Sequence, residues 1–171
     1  FGFEQLTVSE WALREGMVLD AIGRHDVVEW SGDPAPMRRA SVEELARRCR
    51  WDEGHARQVA ALALELFDQT LPVHRLGGDD RELLEHAALL HDIGEHVSAI
   101  GHHKHTAYLI QHGRLRGFSP DEVQLLAALA RYHRNGDPKP AHEPFGSLAS
   151  LDQERVTKLA ALLRLADGLD R

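Results

Sequence analysis

The sequence predicts an all-α fold, a helical bundle that follows a short N-terminal appendage. Apolar residues recur at helical spacing along most of the chain, and beyond the first few residues no stretch alternates apolar and polar side chains as a half-buried strand would. Several segments begin with the capping residues that are typical of helix N-termini. A length of 171 residues, of which 43% are apolar, suits one domain with a real core.

The first 40 residues are predicted to form a helix and a linker. A helix is expected after Ser9, with Trp11, Val18 and Ile22 on one face. The segment "RHDVVEWSGDPAPMRRA" follows and contains a glycine and two prolines, so we interpret residues 25–40 as a linker. The helical domain is then predicted to span residues 41–171 and to begin with a capping box of Ser41 and Glu44.

Six or seven helices are expected after residue 40. The second helix is predicted to start at Asp52, and the next two to cover about 80–92 and about 103–112. The fifth is predicted to start at the "SPDE" of 119–122 and the sixth near Ser150. The "SPDE" signal combines a capping serine, a proline at the first helical position and a glutamate that reaches back. The segment "TLPVHRLGGDD" is predicted to be a loop.

Composition excludes several classes of function. A net charge of −7 argues against broad nucleic-acid binding, DNA included, although a local pocket could still take a small phosphorylated ligand. No apolar run approaches the ~18 residues of a membrane span, and no secretory signal is visible. The lone cysteine, Cys49, excludes an internal disulfide and fits a reducing compartment, so we expect a cytoplasmic protein that has no contact with a membrane.

The 12 histidines cluster, most densely in "HHKH" (102–105) and "YHR" (132–134). Histidine is the commonest metal ligand in proteins. Five of the others are expected to lie on the solvated surface: His25, His74, His86, His112 and His142.

Four polar residues lie where the helical pattern is most apolar. His55, His91 and Asp167 each fall on the apolar stripe of a different predicted helix, and Asp92 is only about 100° round from His91. A buried carboxylate needs a partner or a metal. Two histidines and two aspartates that meet at one point suit Mn²⁺, Fe²⁺, Mg²⁺ or Zn²⁺.

The alternative is that these residues make separate polar contacts, as core histidines and helix-end aspartates often do. The dipeptide His-Asp alone carries little weight, because it also occurs as His25-Asp26 in the predicted linker, where we interpret it as a chance match. The hypothesis of a shared metal site therefore rests on all four residues in their order along the chain, His55, His91-Asp92 and Asp167.

The set His55, His91-Asp92 and Asp167 resembles the ligand pattern of the HD superfamily of metal-dependent phosphohydrolases. More narrowly, "LLHDIG…GHHKHTAYLIQH…GFSPDEVQLLAALARYHR" looks like the C-terminal helical domain of the exopolyphosphatase/guanosine pentaphosphatase (Ppx/GppA) family. The resemblance implies an HD-domain-like helical bundle. In that family the catalytic site lies in actin-like domains. The helical domain often has a degraded HD pair, and it then serves as a binding or dimerisation module. In this sequence all four residues of the HD ligand pattern are present.

The opening "LTVSEWALREGMVLD" is similar to the segment that ends the family's actin-like phosphatase domains. This implies that residues 1–24 are the remnant of a preceding domain and that the actin-like domains are missing from this chain. Trp11, Val18 and Ile22 are then expected to expose apolar surface or to lie at a chain–chain contact.

The resemblance also suggests roles around the metal. Asp92 is the candidate catalytic residue, because it could orient a water; Lys104 and Arg134 are candidate clamps for phosphates. His103, His105 and His133 could donate hydrogen bonds to the substrate or complete a second metal site. The competing interpretation of these residues is a basic surface patch.

Two functions therefore stay open at this stage. One is a phosphohydrolase domain that uses a divalent metal ion to act on polyphosphate or a guanosine polyphosphate. The other is a non-catalytic module that binds such a polyanion, or forms a homodimer, in the service of a separate catalytic domain.

Overall fold

The computed structural model describes residues 34–134 and 136–170. These residues form seven α-helices: α1 (Ala35–Arg48), α2 (Glu53–Gln69), α3 (Leu71–His74), α4 (Gly78–Leu90), α5 (His102–His112), α6 (Pro120–Arg131) and α7 (Ser150–Leu169). Two short 3₁₀ turns lie at Ile93–His96 and Phe145–Ser147, and no strand occurs among the described residues. The predicted all-α fold is confirmed. The predicted first helix and the His25-Asp26 pair lie outside the described residues.

Helix α1 begins earlier than the sequence suggested. Residues 35–40 were predicted to be linker, but they form the first turns of the helix. The prolines misled the prediction, because Pro34 is the N-cap and Pro36 lies in the first turn, where a missing backbone N–H costs nothing. Ser41 is therefore not a cap; it is buried, and its one hydroxyl proton is shared between the carbonyl oxygens of Arg38 at 3.0 Å and Arg116 at 3.1 Å.

The other predicted helix starts agree with the structure to within two residues, but the helix predicted over about 80–92 ends at Leu90, so His91 and Asp92 lie just beyond it. The Asp52 side chain accepts a hydrogen bond from the backbone N–H of His55 at 3.1 Å and caps α2. Ser119 and Glu122 form a complete capping box at the start of α6. Part of the predicted loop between α2 and α4 folds instead into the short helix α3.

Helix α4 lies at the centre of the bundle and packs against α1, α2, α6 and α7. Its residues Leu84, Ala87, Ala88 and Leu90 are fully buried. Since the helix runs through the core, the residues at its C-terminal end are delivered into the interior. The chain continues there into His91 and Asp92.

Two histidines that were expected on the surface are buried, so that expectation was wrong. His74 accepts a hydrogen bond from Leu76 N and contacts Phe67 O, which satisfies both ring nitrogens inside the protein. His86 is only 2% exposed and packs edge-on against the ring of Phe118. None of the described helices has the length and apolarity that a membrane crossing would need.

Candidate metal centre

The turn after α4 is built for close approach to α5. A Cβ added to Gly94 would lie 2.1 Å from the carbonyl oxygen of His102, so only glycine fits there. The buried hydroxyl of Thr106 donates to His91 O at 2.9 Å and accepts from Gly94 N at 3.0 Å. These bonds fasten α5 to the turn, and His102, one helical turn before Thr106, faces Asp92.

The first group of ligand atoms joins three helices and the turn. His55 comes from the first turn of α2, His91 from the end of α4 and Asp167 from the last turns of α7. The two Nε2 atoms lie 3.2 Å apart, and Asp167 Oδ1 lies 3.6 Å from that of His55 and 3.8 Å from that of His91. Asp92 Oδ2 completes the group at 3.7 Å and 3.4 Å from the same two nitrogens.

A second group uses the other oxygen of the same carboxylate. Asp92 Oδ1 lies 3.2 Å from the Nε2 of His102 and 3.2 Å from the Nε2 of His133. These two nitrogens are 3.1 Å apart, and both imidazoles are buried. Each of the two groups contains three side chains whose ligand atoms are mutually close enough to hold a metal ion, and Asp92 lies between them.

The four histidines share one feature, which is that their Nδ1 atoms are already engaged. The partners of Nδ1 are Asp170 Oδ2 for His55 (2.6 Å), Ala88 O for His91 (2.7 Å), Ala99 O for His102 (3.0 Å) and Ala130 O for His133 (2.6 Å). Because an oxygen can only accept, each Nδ1 carries the proton and each Nε2 presents a lone pair. Histidines that bind metals are held in this way by their second nitrogen.

The central carboxylate also fits a cation. Asp92 Oδ1 is buried and, despite its two imidazole neighbours, makes no hydrogen bond to any described residue. Burial alone would raise the pKa of Asp92, but the nearby His133 and His91 outweigh it and hold that pKa well below its ordinary value. Burial lowers the pKa of His133. Burial would also lower the pKa of His91, but its contact with Asp92 outweighs this and raises that pKa above its ordinary value. A carboxylate oxygen that is buried among four imidazole rings is the chemistry of a metal site.

The structure thus brings together the four residues that the sequence suggested as ligands, and it adds two that sequence reasoning missed. His102 was missed because its helix was predicted to start at residue 103; the buried run His102, Thr106 and Ile110, at i, i+4 and i+8, was the available signal. Asp170 was missed although it follows Asp167 by three residues and so shares its side of α7.

The residues suggested for phosphate binding are placed differently from one another. His133 is fully buried beside Asp92, inside the second group and not on a basic surface patch. Lys104 and Arg134 are exposed, whereas His103 and His105 are half-buried. Lys104 lies about 200° round α5 from His102. The Lys104 side chain would therefore have to bend around α5 for its ammonium group to approach Asp92 and the ligand histidines.

Comparison with known proteins decides the family. Residues 37–171 match the family described as Ppx/GppA phosphatase, domain III. The chain belongs to the Ppx/GppA phosphatase family. It is 32% identical over 167 residues to a guanosine-5'-triphosphate,3'-diphosphate pyrophosphatase of Aeromonas hydrophila subsp. hydrophila, and 30% identical over 165 residues to the protein of the same name from Aeromonas salmonicida.

These alignments cover 96% and 95% of this Ppx/GppA chain but only 32% and 31% of the relatives. The chain therefore spans about a third of the length of the curated relatives that it matches. The relatives' activity belongs to proteins that are much longer than the domain described here.

Proposed function

We propose that this chain is an HD-type phosphohydrolase domain that holds two divalent metal ions and cleaves a phosphoanhydride bond of polyphosphate or a guanosine polyphosphate. The observation that carries the proposal is that the two oxygens of Asp92 face two different groups of ligand atoms. Its Oδ2 faces His55 and His91, and its Oδ1 faces His102 and His133. Paired metal sites in phosphatases and nucleases act on both the attacking and the leaving oxygen.

The donor set favours some metals over others. Four imidazole nitrogens and two carboxylates suit Fe²⁺, Mn²⁺ or Zn²⁺ better than Mg²⁺, which prefers oxygen ligands and keeps its water. The second group offers only Asp92, His102 and His133, so an ion there would keep positions open for water and for substrate oxygens.

Metal ions at such a pair of groups would generate a nucleophile from water at neutral pH and polarise a phosphoryl oxygen. The chain's own residues supply orientation. Because the two oxygens of Asp92 each face one group, Asp92 fixes the separation of the groups and thereby the place where the reacting water must lie. Thr106 and Gly94 keep the Asp92 turn against α5, which holds this geometry before substrate arrives.

Cationic side chains that have no carboxylate partner could bind the phosphates that are not attacked. Lys104, Arg131 and Arg134 form no ion pair with any described residue, whereas Arg38, Arg39, Arg57, Arg81 and Arg155 all do. A cation without a carboxylate partner keeps its charge available for a ligand. We assign the clamp to Lys104 and Arg134, with His103 and His105 as hydrogen-bond donors. The relatives' names, which specify a guanosine triphosphate diphosphate, support a substrate of this class.

Phosphate release by this chain alone tests the proposal. Wild type is incubated with polyphosphate or guanosine pentaphosphate, with Mn²⁺ and with a chelator. We expect metal-dependent release that falls by roughly 100-fold in Asp92→Asn and His102→Asn, because each removes a ligand. His112→Asn, an exposed histidine on the same helix as His102, should keep wild-type activity.

Equal release with chelator, or equal activity in Asp92→Asn and His112→Asn, would contradict the proposal. A second candidate function is a non-catalytic module that binds the polyanion or dimerises for a catalytic neighbour; the exposed cations Lys104 and Arg134 favour it. Salt-sensitive binding of polyphosphate that is lost in Lys104→Ala/Arg134→Ala, without release of phosphate, would support that second function.

A further inference from the structure

One of the four histidines is held differently from the others. His91, His102 and His133 each donate from Nδ1 to a carbonyl three residues earlier in their own segment. His55 lies in the first turn of α2, where the residue three positions earlier is the N-cap Asp52, whose carbonyl already accepts from Ala56 N at 3.0 Å. Its Nδ1 instead contacts a side chain 115 residues away in sequence.

That side chain is the carboxylate of Asp170, at the C-terminal end of α7. The distance between Asp170 Oδ2 and His55 Nδ1 is 2.6 Å, and both side chains are largely shielded from solvent, with 23% and 22% exposed. A charge-assisted hydrogen bond of this length is stronger than one to a neutral carbonyl. It fixes the proton on Nδ1 and turns Nε2 toward Asp92 and Asp167.

The two groups also differ in charge. The first group contains the carboxylates of Asp92 and Asp167, with Asp170 directly behind His55. The second group contains the shared Asp92 as its one ligand carboxylate; behind it, Glu95 is exposed, and its Oε1 lies 4.0 Å from His102 Nδ1, which is too far for a hydrogen bond. Since attraction to a divalent cation grows with each nearby carboxylate, the two positions cannot be equivalent.

We propose that Asp170 is a positioning residue for His55 and that it makes the first group the tighter of two unequal ion sites. The inference rests on the proposed function, because it concerns the same centre. Asp170 contacts His55, a ligand of the first group, so its loss should act on that group. The loosely held position beside His102 and His133 is then the one at which an ion exchanges.

A titration of the metal-free chain with Zn²⁺ or Mn²⁺, followed by calorimetry and by competition with a chelator, tests this ranking. Wild type should bind two ions in two steps. Asp170→Ala should weaken the tighter step by roughly 10–100-fold, which is the usual cost of losing such a supporting contact. The weaker step should not change.

Two variants sharpen the comparison. Asp170→Asn keeps an oxygen that can accept from His55 Nδ1 and should restore part of the lost affinity. Asp68→Ala removes an exposed carboxylate from the far end of α2 and should leave both steps as in wild type. A tighter step that is unchanged in Asp170→Ala, or equal weakening of both steps, would overturn the inference.

A readout that needs no metal separates this inference from the proposed function. In ¹⁵N spectra of the histidine rings, His55, assigned by loss of its signals in His55→Gln, should carry its proton on Nδ1 in wild type. In Asp170→Ala it should become a mixture of both tautomers. If wild type binds neither ion, the proposed function and the ranking of the sites both fail. An unchanged tautomer in Asp170→Ala would refute the positioning role itself.

Discussion

The bond network of Thr106 leads to a prediction that can be worked through in numbers. Thr106 is fully buried, and its hydroxyl satisfies the carbonyl of His91 and the amide of Gly94. Thr106→Val keeps the shape of the side chain and removes both hydrogen bonds. Thr106→Ser keeps both bonds and removes one methyl group, so it is the matched control.

The expected cost follows from what is left unpaired. A buried backbone group without a partner costs about 1–3 kcal/mol, so two such groups would cost about 2–6 kcal/mol. Because the turn can shift toward water, we expect about 2–4 kcal/mol for Thr106→Val. The lost methyl of Thr106→Ser should cost about 1 kcal/mol.

Urea denaturation of the metal-free variants measures the difference directly. Thr106→Val should unfold at a clearly lower urea concentration than Thr106→Ser, with an unchanged slope. With metal present, Thr106→Val should also weaken the ion step that uses His102, since α5 is no longer fastened to the Asp92 turn. If Thr106→Val were as stable as Thr106→Ser, the hydroxyl would not hold the turn in place.

Three further predictions concern stability. Gly94→Ala should lower the free energy of unfolding by about 1–3 kcal/mol or more, because its Cβ would overlap a backbone oxygen; Gly78→Ala, which has open space around it, should cost nothing in the same urea experiment. Burial, together with the nearby Arg39 and Arg38, lowers the pKa of His86 to about 4, so the unfolded chain takes up this proton first as the pH falls. Wild type should therefore lose about 2 kcal/mol from this group between pH 7.5 and pH 5, and His86→Leu should lose that much less. Removal of bound metal by a chelator should lower the melting temperature of wild type but not of Asp92→Asn, as measured by scanning calorimetry.

Most of the fold could be predicted from local signals in the sequence. The caps at Asp52 and Ser119 are hydrogen-bonding groups within three residues of their partners, so the sequence specifies them almost alone. The start of α1 was not predicted, because Pro34 and Pro36 end a helix in one context and begin it in another.

The candidate site could be predicted in part. His55, His91 and Asp167 lie on apolar stripes, so helical periodicity predicted that each side chain faces the interior. That they form one ligand set was indicated by the resemblance to HD phosphohydrolases. The second group was predicted only through His133, because the prediction from sequence named His103 and not its neighbour His102, and adjacent positions on a helix point about 100° apart. The contact of Asp170 with His55 joins the two ends of the domain, and no local pattern specifies such a pair.

Anomalous diffraction from crystals grown with Mn²⁺ or Zn²⁺ tests the central claim most directly. The account predicts two peaks on either side of Asp92, one at ~2.0–2.3 Å from the Nε2 atoms of His55 and His91 and the other at the same distance from those of His102 and His133. An absence of peaks at Asp92, with metal bound elsewhere or not at all, would contradict it.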